Sequence, residues 1–428
     1  MIIRSLFLAA AIPWMALPAE LPGPVLPAGV GVNIHFTRGH ERDLDMIAEA
    51  GFRFIRMDFG WAATERKKGE YEWSEYEELT SNLEKRGIRP YYILDYSNPL
   101  YEETVTGKNP ITGAEHRDTA SPQHPQSVAA FARWAAAAAG HFHGRHVVWE
   151  IWNEPNISFW KPKPDAGQYT ALALATCKAI READAGATIV APATSTFPWG
   201  FLDNFLKSGV LEYLDGVSVH PYRSKERPPE TATADYLRLR GLIERYAPDE
   251  ARKKIAIISG EWGYSSHTRG VSPETQAAFI ARQQLSNLLD GVPISIWYDW
   301  ENDGEDPDEN EQNFGTVTHD LKPKPAYVAI QTLTRELSGY RIDHRHNTTN
   351  EKDFVLVLTN AKRQTRLAVW TVGEPHDVTL ELMPTAATAI LSVASDGGKR
   401  KLQVERNRLT VGLTAAPGYL SLDQAKLR

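Results

Sequence analysis

Residues 147–155 read VVWEIWNEP, a short apolar run that ends in an Asn-Glu-Pro triplet. Similar apolar runs recur at intervals from residue 29 to residue 300. In chain order the others are GVGVNIHF (29–36), FRFIRMDF (52–59), RPYYILDY (89–96), ATIVAPAT (187–194), GVSVHPY (216–222), KIAIISGEW (254–262) and ISIWYDW (294–300). Strands that are buried on both faces read as continuous apolar runs rather than as alternation. The pattern therefore predicts a parallel sheet of eight strands.

Segments with helical spacing separate these runs, for example QSVAAFARWAAAAAG (126–140) and PETQAAFIARQQLSNLLDG (273–291). Several of them end in glycine, which tolerates the left-handed conformation that closes a helix. Alternating strands and helices predict an α/β fold, and eight repeats of the unit predict a closed (β/α)8 TIM barrel over residues 24–340. An open doubly wound sheet is the alternative, but no glycine-rich phosphate-binding fingerprint follows the first strand.

The sequence changes character after residue 340. Segments such as FVLVLTN, RLAVWTV and DVTLELM alternate or run apolar, with turn residues between them. This pattern predicts a small antiparallel β-sandwich domain over residues 341–428. We expect the domain to pack against the barrel; carbohydrate binding is the alternative, although its strands hold few aromatic residues, among them Trp370 and Tyr419.

Composition excludes several classes of protein. The net charge of -7 and the pI of about 6.0 give no basic stripe for a nucleic-acid partner.

Residues 1–19 combine Arg4, an apolar stretch and a small residue at the end, which predicts a secretory signal peptide and a secreted or periplasmic enzyme. An uncleaved anchor is the alternative. No later segment is apolar for long enough to span a membrane, and Cys177 alone cannot form a disulfide framework.

Two carboxylates end predicted strands of this barrel. In a TIM barrel the active site lies where the strands end and the following loops begin. Glu154 ends the fourth predicted strand and Glu261 ends the seventh, so the two can face each other across the barrel axis. Glycoside hydrolysis needs one carboxyl group to protonate the leaving oxygen and a second to act at the anomeric carbon. The pair therefore predicts a glycoside hydrolase.

The segment WEIWNEPN (149–156) closely resembles the acid/base motif of the clan A glycoside hydrolases, in which an Asn-Glu pair, often followed by Pro, ends the fourth strand. The resemblance implies that Glu154 is the general acid/base and that Asn153 hydrogen-bonds the 2-hydroxyl group of the sugar. Glu261, in IAIISGEWGYSS, is similar to the clan's nucleophile, which ends the seventh strand. Within the clan the resemblance is greatest to family 39-like enzymes, with family 5 a close second.

The same resemblance assigns supporting roles. It implies that Arg56 lies beside the nucleophile and favours its ionised form. His220 and Tyr222, in VHPY, resemble the His-x-Tyr of strand six in several clan families. There Tyr222 would hold the nucleophile by a hydrogen bond, and His220 would contact substrate or the acid/base. Trp297, on the eighth strand, resembles the clan's sugar-stacking platform.

Further residues at the strand ends are candidate substrate contacts. Polar and aromatic side chains at these positions include His35, Asp95, Trp160 and Trp262. Competing carboxylates are less well placed, because Glu182 lies in a predicted helix and Glu301 begins an acidic loop (301–312). That loop contains many oxygen ligands but lacks the spacing of a calcium site. The sequence therefore predicts no metal and no cofactor.

These features predict a retaining β-glycoside hydrolase that cleaves a β-linked oligosaccharide or polysaccharide by double displacement. Several aromatic residues near the strand ends favour a cleft and hence endo-action; they are Trp61, Tyr96, Tyr101, Trp160, Trp199 and Trp262. An exo-acting β-glycosidase such as a xylosidase or galactosidase, and a transglycosylase, remain alternatives. A non-catalytic polysaccharide-binding protein is a further alternative, but a protein that only binds has no need of both glutamates.

Overall fold

The computed structural model describes residues 21–108, 115–248, 255–423 and 425–428. The predicted signal peptide, residues 1–19, lies outside the described residues. The first ten strands are β1 (Val30–Asn33), β2 (Phe54–Gly60), β3 (Arg89–Asp95), β4 (Thr104–Lys108), β5 (Glu115–Thr119), β6 (Val148–Ile151), β7 (Thr188–Ser195), β8 (Gly216–His220), β9 (Ala256–Trp262) and β10 (Ser295–Trp297). β4 and β5 pair only with each other, as an antiparallel hairpin that the sequence analysis did not predict.

The other eight strands form a closed parallel barrel in the order β1-β10-β9-β8-β7-β6-β3-β2, which confirms the predicted fold. Helices follow the strands and cover the outside of the barrel. They are α1 (Glu41–Glu49), α2 (Trp61–Thr64), α3 (Ser74–Glu84), α4 (Pro125–His141), α5 (Ala166–Ala183), α6 (Trp199–Leu206), α7 (Thr233–Tyr246), α8 (Pro273–Leu289) and α9 (Pro325–Glu336). Short 3-10 helices lie at Val210–Glu212, Pro229–Ala232 and Glu311–Asn313. None of the helices in the described ranges is both long and apolar enough to span a bilayer.

Local sequence fixes where the longer helices begin. The carboxylate of Asp165 accepts the backbone N–H of Gln168 at 2.9 Å and so caps α5. The hydroxyl of Ser272 accepts the N–H of Thr275 at 3.1 Å, and Pro273 occupies the first position of α8. Both caps satisfy backbone donors that a helix cannot pair internally, and proline at the first helical position loses no hydrogen bond.

The barrel interior changes from apolar to charged along the strands. A small buried cluster fills the lower interior; it consists of Phe54, Tyr91, Val148, Val190, Ile258, Ile294 and Ile296. Because side chains alternate along a strand, the interior residues that follow Phe54 on β2 are Arg56 and Asp58, and the residue that follows Val148 on β6 is Glu150. The larger core lies between the strands and the helices. This alternation places charged groups above the apolar plug, at the end of the barrel where the strands finish.

The C-terminal strands form an eight-stranded antiparallel sheet in the order β11-β12-β13-β18-β15-β16-β17-β14. Its strands are β11 (Tyr340–Arg345), β12 (Asp353–Asn360), β13 (Thr365–Thr371), β14 (His376–Glu381), β15 (Ala389–Val393), β16 (Lys399–Glu405), β17 (Arg408–Leu413) and β18 (Gly418–Ser421). The sheet curls to enclose its own apolar core, which includes Val355, Leu367, Leu380 and Leu409. Two layers around one core make this unit a sandwich, as the sequence predicts. Arg282 on α8 donates to the carbonyl of Ala415, which ties the sheet to the barrel.

Candidate active site

Glu154 and Glu261 meet at the mouth of the barrel. One carboxylate oxygen of Glu154, one of Glu261 and one ring nitrogen of His220 all lie within 4.8 Å of one another. Glu154 is buried, with 6% of its surface exposed, whereas the side chain of Glu261 is 13% exposed. Carboxyl groups about 5–5.5 Å apart leave room for an anomeric carbon but not for an intervening water, which is the spacing of a retaining glycosidase.

A bulge in β9 turns Glu261 towards the interior. Ser295 pairs with Ser259 and Trp297 pairs with Trp262, so β9 has one more residue than β10 over this stretch. A bulge of this kind redirects the side chains that follow it. Gly260 lies inside as well, since a Cβ atom there would lie 2.5 Å from the Ser218 hydroxyl. Only glycine fits at this point.

The backbone at Glu154 has an uncommon conformation. Its φ is +45°, and Trp152, two residues earlier, has a φ of +68°. Non-glycine residues rarely occupy this left-handed region, and those that do cluster at functional sites. The N–H of Glu154 donates to the carbonyl of Ala193 at 2.9 Å, which holds the turn against the end of β7. The strand therefore delivers Glu154 through a constrained turn rather than a flexible loop.

Arg56 is the charge at the centre of the site and is fully buried. Its guanidinium donates to Glu261 Oε2 at 2.5 Å, to Glu150 Oε2 at 2.8 Å and to Asn153 Oδ1 at 2.8 Å. Hydrogen bonds donated to a carboxylate favour its ionised form. Glu150 also accepts from the Tyr91 hydroxyl at 2.7 Å. This arrangement neutralises Arg56 with two carboxylates and keeps Glu261 in contact with a fixed cation.

Sequence reasoning missed Glu150, which has no exposed surface and holds Arg56 in place. A signal was available, because a charged residue within the apolar run VVWEIW occupies the same interior register as Val148. A buried glutamate needs a partner of opposite charge, and Arg56 is in the corresponding interior register of its own strand.

His220 connects Arg56 to the acid/base candidate. Its Nε2 lies 3.3 Å from an Arg56 nitrogen and its Nδ1 lies 2.9 Å from Glu154 Oε1. Arginine can only donate, so Nε2 must accept, and the proton of the neutral ring is on Nδ1. Burial lowers the pKa of His220 to about 4 against the opposing charge of Glu261, so the ring is neutral near pH 7. His220 therefore donates to Glu154 Oε1.

Glu154 titrates in the range that an acid/base group needs. Burial raises its pKa to about 7, although a hydrogen bond with Ser195 and the charge of Arg56 oppose the rise. Proton transfer is most efficient when the pKa of the group lies near the working pH. Glu154 can therefore hold a proton in one step and release it in the next.

Tyr222 and Asn153 complete this side of the site. The hydroxyl of Tyr222 donates to Glu261 Oε1 at 2.8 Å, which is the contact expected from the sequence. The Asn153 amide nitrogen donates to the Tyr96 hydroxyl at 2.9 Å. The Tyr96 ring stacks at 5.8 Å on Phe159, which is 41% exposed and which sequence reasoning also missed. An exposed aromatic surface thus lies next to the catalytic candidates.

Acidic residues occupy the opposite side of the mouth, at the ends of β10, β2 and β3, with His35 following β1 beside them. Asp299 is 1% exposed, and neither of its carboxylate oxygens accepts a hydrogen bond from a described residue. Its Oδ2 lies 3.5 Å from His35 Nε2. Burial raises the pKa of Asp299 to about 7, with His35 opposing. Burial also raises the pKa of Asp95 well above its ordinary value, helped by the negative charge of the neighbouring Asp58.

The sequence of the barrel matches a known family of glycoside hydrolases. The family model described as Cellulase (glycosyl hydrolase family 5) matches residues 27–303, a segment that includes all eight barrel strands and both glutamates. The chain belongs to this family. A β-xylosidase from Caldicellulosiruptor saccharolyticus is 24% identical over 352 residues, which cover 73% of this chain and 70% of that one.

Solved structures share the fold of this family 5 protein. A family 39 glycoside hydrolase from Bacteroides cellulosilyticus WH2 aligns with a TM-score of 0.78 and 24% identity, over 95% of this chain and 82% of the other. A monomeric β-xylosidase from Caulobacter crescentus CB15 aligns with a TM-score of 0.66 and 17% identity, over 95% and 98% of the two chains. The predicted likeness to clan A is confirmed, and the chain is a retaining glycoside hydrolase of that clan; the family 39 structure shares its fold.

Three predicted substrate contacts of this glycoside hydrolase require correction. Trp160, Trp262 and Trp297 have no exposed surface and lie in the core between strands and helices, so none offers a ring face to a sugar. Trp297 alternates with Ile296 and Tyr298 along β10, and Ile296 points into the barrel. Trp297 therefore points outwards, and the bulge in β9 turns Trp262 the same way. Trp160 packs on Trp152, with ring centroids 5.1 Å apart.

The remaining polar candidates differ in what they can contact. The side chain of His35 is 48% exposed and can reach a ligand. Asp95 is completely buried, which corrects its prediction as a direct contact in this structure. Two groups in the described chain bring together possible metal-binding atoms: Glu154, His220 and Glu261, and separately His35, Asp299 and Asp303. In the first group Arg56, Tyr222 and His220 already donate to the carboxylates.

Proposed function

We propose that this chain hydrolyses a β-linked oligosaccharide or polysaccharide by double displacement, with Glu261 as nucleophile and Glu154 as general acid/base. The observation that carries the proposal is the approach of the two carboxylates within 4.8 Å, one of them held by Arg56 and Tyr222 and the other titrating near pH 7. Two glutamates in different environments can take opposite roles.

Glu261 attacks the anomeric carbon while Glu154 protonates the glycosidic oxygen; the glycosidic bond breaks, the leaving group departs as an alcohol, and a covalent glycosyl-enzyme remains. His220 donates to Glu154 Oε1, so the transferable proton of the acid form sits on Oε2. Water then attacks the anomeric carbon, and Glu154, now ionised, accepts its proton. The bond between Glu261 and the sugar breaks, and the sugar leaves with its original anomeric configuration.

We propose endo-action on the basis of one aromatic surface, formed by Tyr96 and Phe159. Three of the aromatic residues expected near a cleft are buried and cannot contribute to it; they are Trp61, Trp160 and Trp262. The stacked pair Tyr96 and Phe159 extends an aromatic surface beyond Asn153, where a further sugar ring could lie. The names of two relatives, both β-xylosidases, favour exo-action on xylosides as the second candidate.

The stereochemistry of the first product tests the mechanism. We expect NMR during hydrolysis of an aryl β-glycoside to show the β-anomer before mutarotation. Glu154→Ala is expected to retain glycosylation by a dinitrophenyl glycoside, seen as a burst of dinitrophenol, but to hydrolyse the glycosyl-enzyme slowly. Added azide should rescue the second step and yield a β-glycosyl azide. Because the acid form of Glu154 is needed with poor leaving groups, kcat/KM for an unactivated glycoside should fall about tenfold per pH unit above pH 7. An α-anomer as first product would contradict double displacement.

Products from a polysaccharide separate the two candidates. Endo-action is expected to lower the viscosity of a β-glucan or xylan solution before much reducing sugar appears, whereas exo-action releases monosaccharide from the start. Transglycosylation would instead give products longer than the substrate. Screening aryl xylosides, glucosides and galactosides beside these polymers would identify the sugar that is cleaved.

A further inference from the structure

A second cavity opens beside the catalytic pair, between the loops that follow β8 and β9. Its volume is about 320 Å³, and its lining includes Tyr222, Arg223, Lys225, His267, Arg269 and Phe314. We call it the Arg223 pocket. Tyr222, which lines the pocket, is also the residue whose hydroxyl donates to Glu261 at 2.8 Å. The pocket therefore adjoins the active site at Tyr222, and it is large enough for a sugar unit.

The Arg223 pocket is positively charged. Arginine and lysine side chains supply three cations, and no aspartate or glutamate is among its lining residues. Lys225 and Arg269 are exposed, and within the described chain neither has a carboxylate at ion-pair distance; the Lys225 ammonium donates only to the carbonyl of Arg269, at 2.7 Å. The acidic loop (301–312) borders the pocket, because its residue Asn310 is part of the lining and the Thr268 hydroxyl donates to Asp308.

Arg223 is a buried residue of the pocket wall. Its side chain is only 4% exposed, and its guanidinium donates to Asp235 Oδ2 at 2.6 Å. The same guanidinium lies over the ring of Phe197, 5.5 Å from its centroid. The Nε–H of Arg223 is buried and has no hydrogen-bond partner. A buried donor without a partner costs free energy. An anionic oxygen group, such as a carboxylate or a sulfate, is the best acceptor for the N–H donors of an arginine.

The other side of the mouth has the opposite character. Asp58, Asp95 and Asp299 gather there, at the ends of β2, β3 and β10, with His35 as the basic side chain that faces Asp299. An anionic sugar would meet like charge or unsatisfied carboxyl groups on that side. An anionic sugar can therefore be accommodated beside Tyr222 but not over the acidic residues.

We propose that the Arg223 pocket binds the anionic substituent, a uronate carboxylate or a sulfate ester, of a sugar next to the one that is cleaved. The substrate is then an acidic β-linked glycan in which the bond broken belongs to an uncharged sugar. This inference rests on the proposed function, because it assumes that a glycan lies across the mouth of the barrel.

Calorimetric titration of the full chain tests the pocket directly. The probes are methyl β-D-glucuronide and D-glucose 6-sulfate, each compared with methyl β-D-glucoside as the uncharged match. We expect at least one anionic probe to bind about tenfold more tightly than the glucoside, an advantage that high salt reduces because Lys225 and Arg269 are exposed. The two anionic probes distinguish a carboxylate from a sulfate ligand.

Variants locate the binding. The double variant Lys225→Ala and Arg269→Ala should weaken binding of the anionic probe about fivefold or more. Its affinity for the glucoside should not change. Arg223→Lys keeps the charge opposite Asp235 but loses the planar donor array, and should weaken it as well. Lys207→Ala is the matched control, because Lys207 is an exposed cation at the end of α6, remote from the mouth. Unchanged binding in the pocket variants would overturn the proposal.

Turnover of an uncharged aryl glycoside keeps the two proposals separate. If the wild-type protein hydrolyses that substrate but binds the anionic probes no more tightly than the glucoside, the Arg223 pocket proposal is wrong and the hydrolase proposal stands. If no aryl glycoside is hydrolysed while the anionic probes bind through Arg223, the hydrolase proposal is the one that fails.

Discussion

The two sides of the barrel mouth treat buried carboxyl groups differently. On the side formed by β6 to β9, Glu261 accepts hydrogen bonds from Arg56 and Tyr222, and Glu154 accepts one from His220. On the side formed by β10, β1, β2 and β3, Asp95 and Asp299 accept none from the described residues. Burial alone favours the neutral acid, and donors restore the charge. The protein thus sets the charge of each carboxyl group through its neighbours.

This difference separates reactivity from binding. A carboxylate nucleophile attacks in its ionised form, and the fixed cation of Arg56 lies against Glu261. Neutral carboxyl groups can both donate and accept hydrogen bonds, and on the acidic side they are buried beneath the mouth rather than exposed to a sugar. The contrast predicts that charge removal has large effects on activity at one side and effects on pH dependence at the other.

Glu261→Gln is expected to have the largest effect. The substitution keeps the size of the side chain and removes its nucleophilic charge, so kcat for an aryl β-glycoside should fall by at least about 10⁴-fold. Steady-state kinetics on an activated substrate measure the loss. Glu182→Gln, at an exposed position near the end of α5, is the matched control and should retain full activity. Substantial turnover by Glu261→Gln would show that another group attacks the sugar.

The sequence was sufficient for the fold and for the residues that surround Glu261. Continuous apolar runs predict strands buried on both faces, and barrel order then brings Glu154, His220, Tyr222 and Arg56 to the same end. Glu154, His220 and Tyr222 lie at the end of a strand or just after it, whereas Arg56 lies in the interior register within β2. Their mutual contacts follow from topology, which the sequence shows clearly.

The tryptophans show what the sequence did not make clear. A tryptophan near a strand end predicts a sugar-stacking platform, but the direction of its side chain depends on the register of the strand. Trp297 points outwards because side chains alternate along β10. Trp262 points outwards because of the bulge in β9, which no local pattern in KIAIISGEW predicts. The hairpin of β4 and β5 was missed because its residues are polar. Register and bulges depend on contacts between strands that are distant in sequence.

Removal of Arg56 tests how far Glu261 and Glu150 depend on one cation. Arg56→Met leaves two carboxylates in a buried site without their shared partner, and breaking such a pair costs about 3–5 kcal/mol. We expect the midpoint of urea unfolding to fall accordingly. Glu150→Gln added to Arg56→Met should recover part of the loss, because one uncompensated charge is then gone. Arg408→Met, which breaks an exposed pair with Glu381, should change stability by less than about 1 kcal/mol. Equal losses for the two arginines would contradict a central role for Arg56.

Asp299→Asn tests the acidic side, where the effect is smaller and depends on pH. The pKa of Asp299 is about 7 in the folded protein, whereas an unfolded aspartate titrates near 4. Between these values the folded protein holds a proton that the unfolded chain has released, so the wild-type protein loses stability as pH rises from about 4 to about 7. Asparagine has no such proton. The stability of Asp299→Asn relative to wild type should therefore increase over this range, by on the order of 3 kcal/mol. Unfolding midpoints measured from pH 4 to pH 8 give the slope, and Glu305→Gln in the exposed acidic loop should show none. A flat difference for Asp299→Asn would mean that this carboxyl group is ionised despite its burial, and that the two sides of the mouth differ less than their donors indicate.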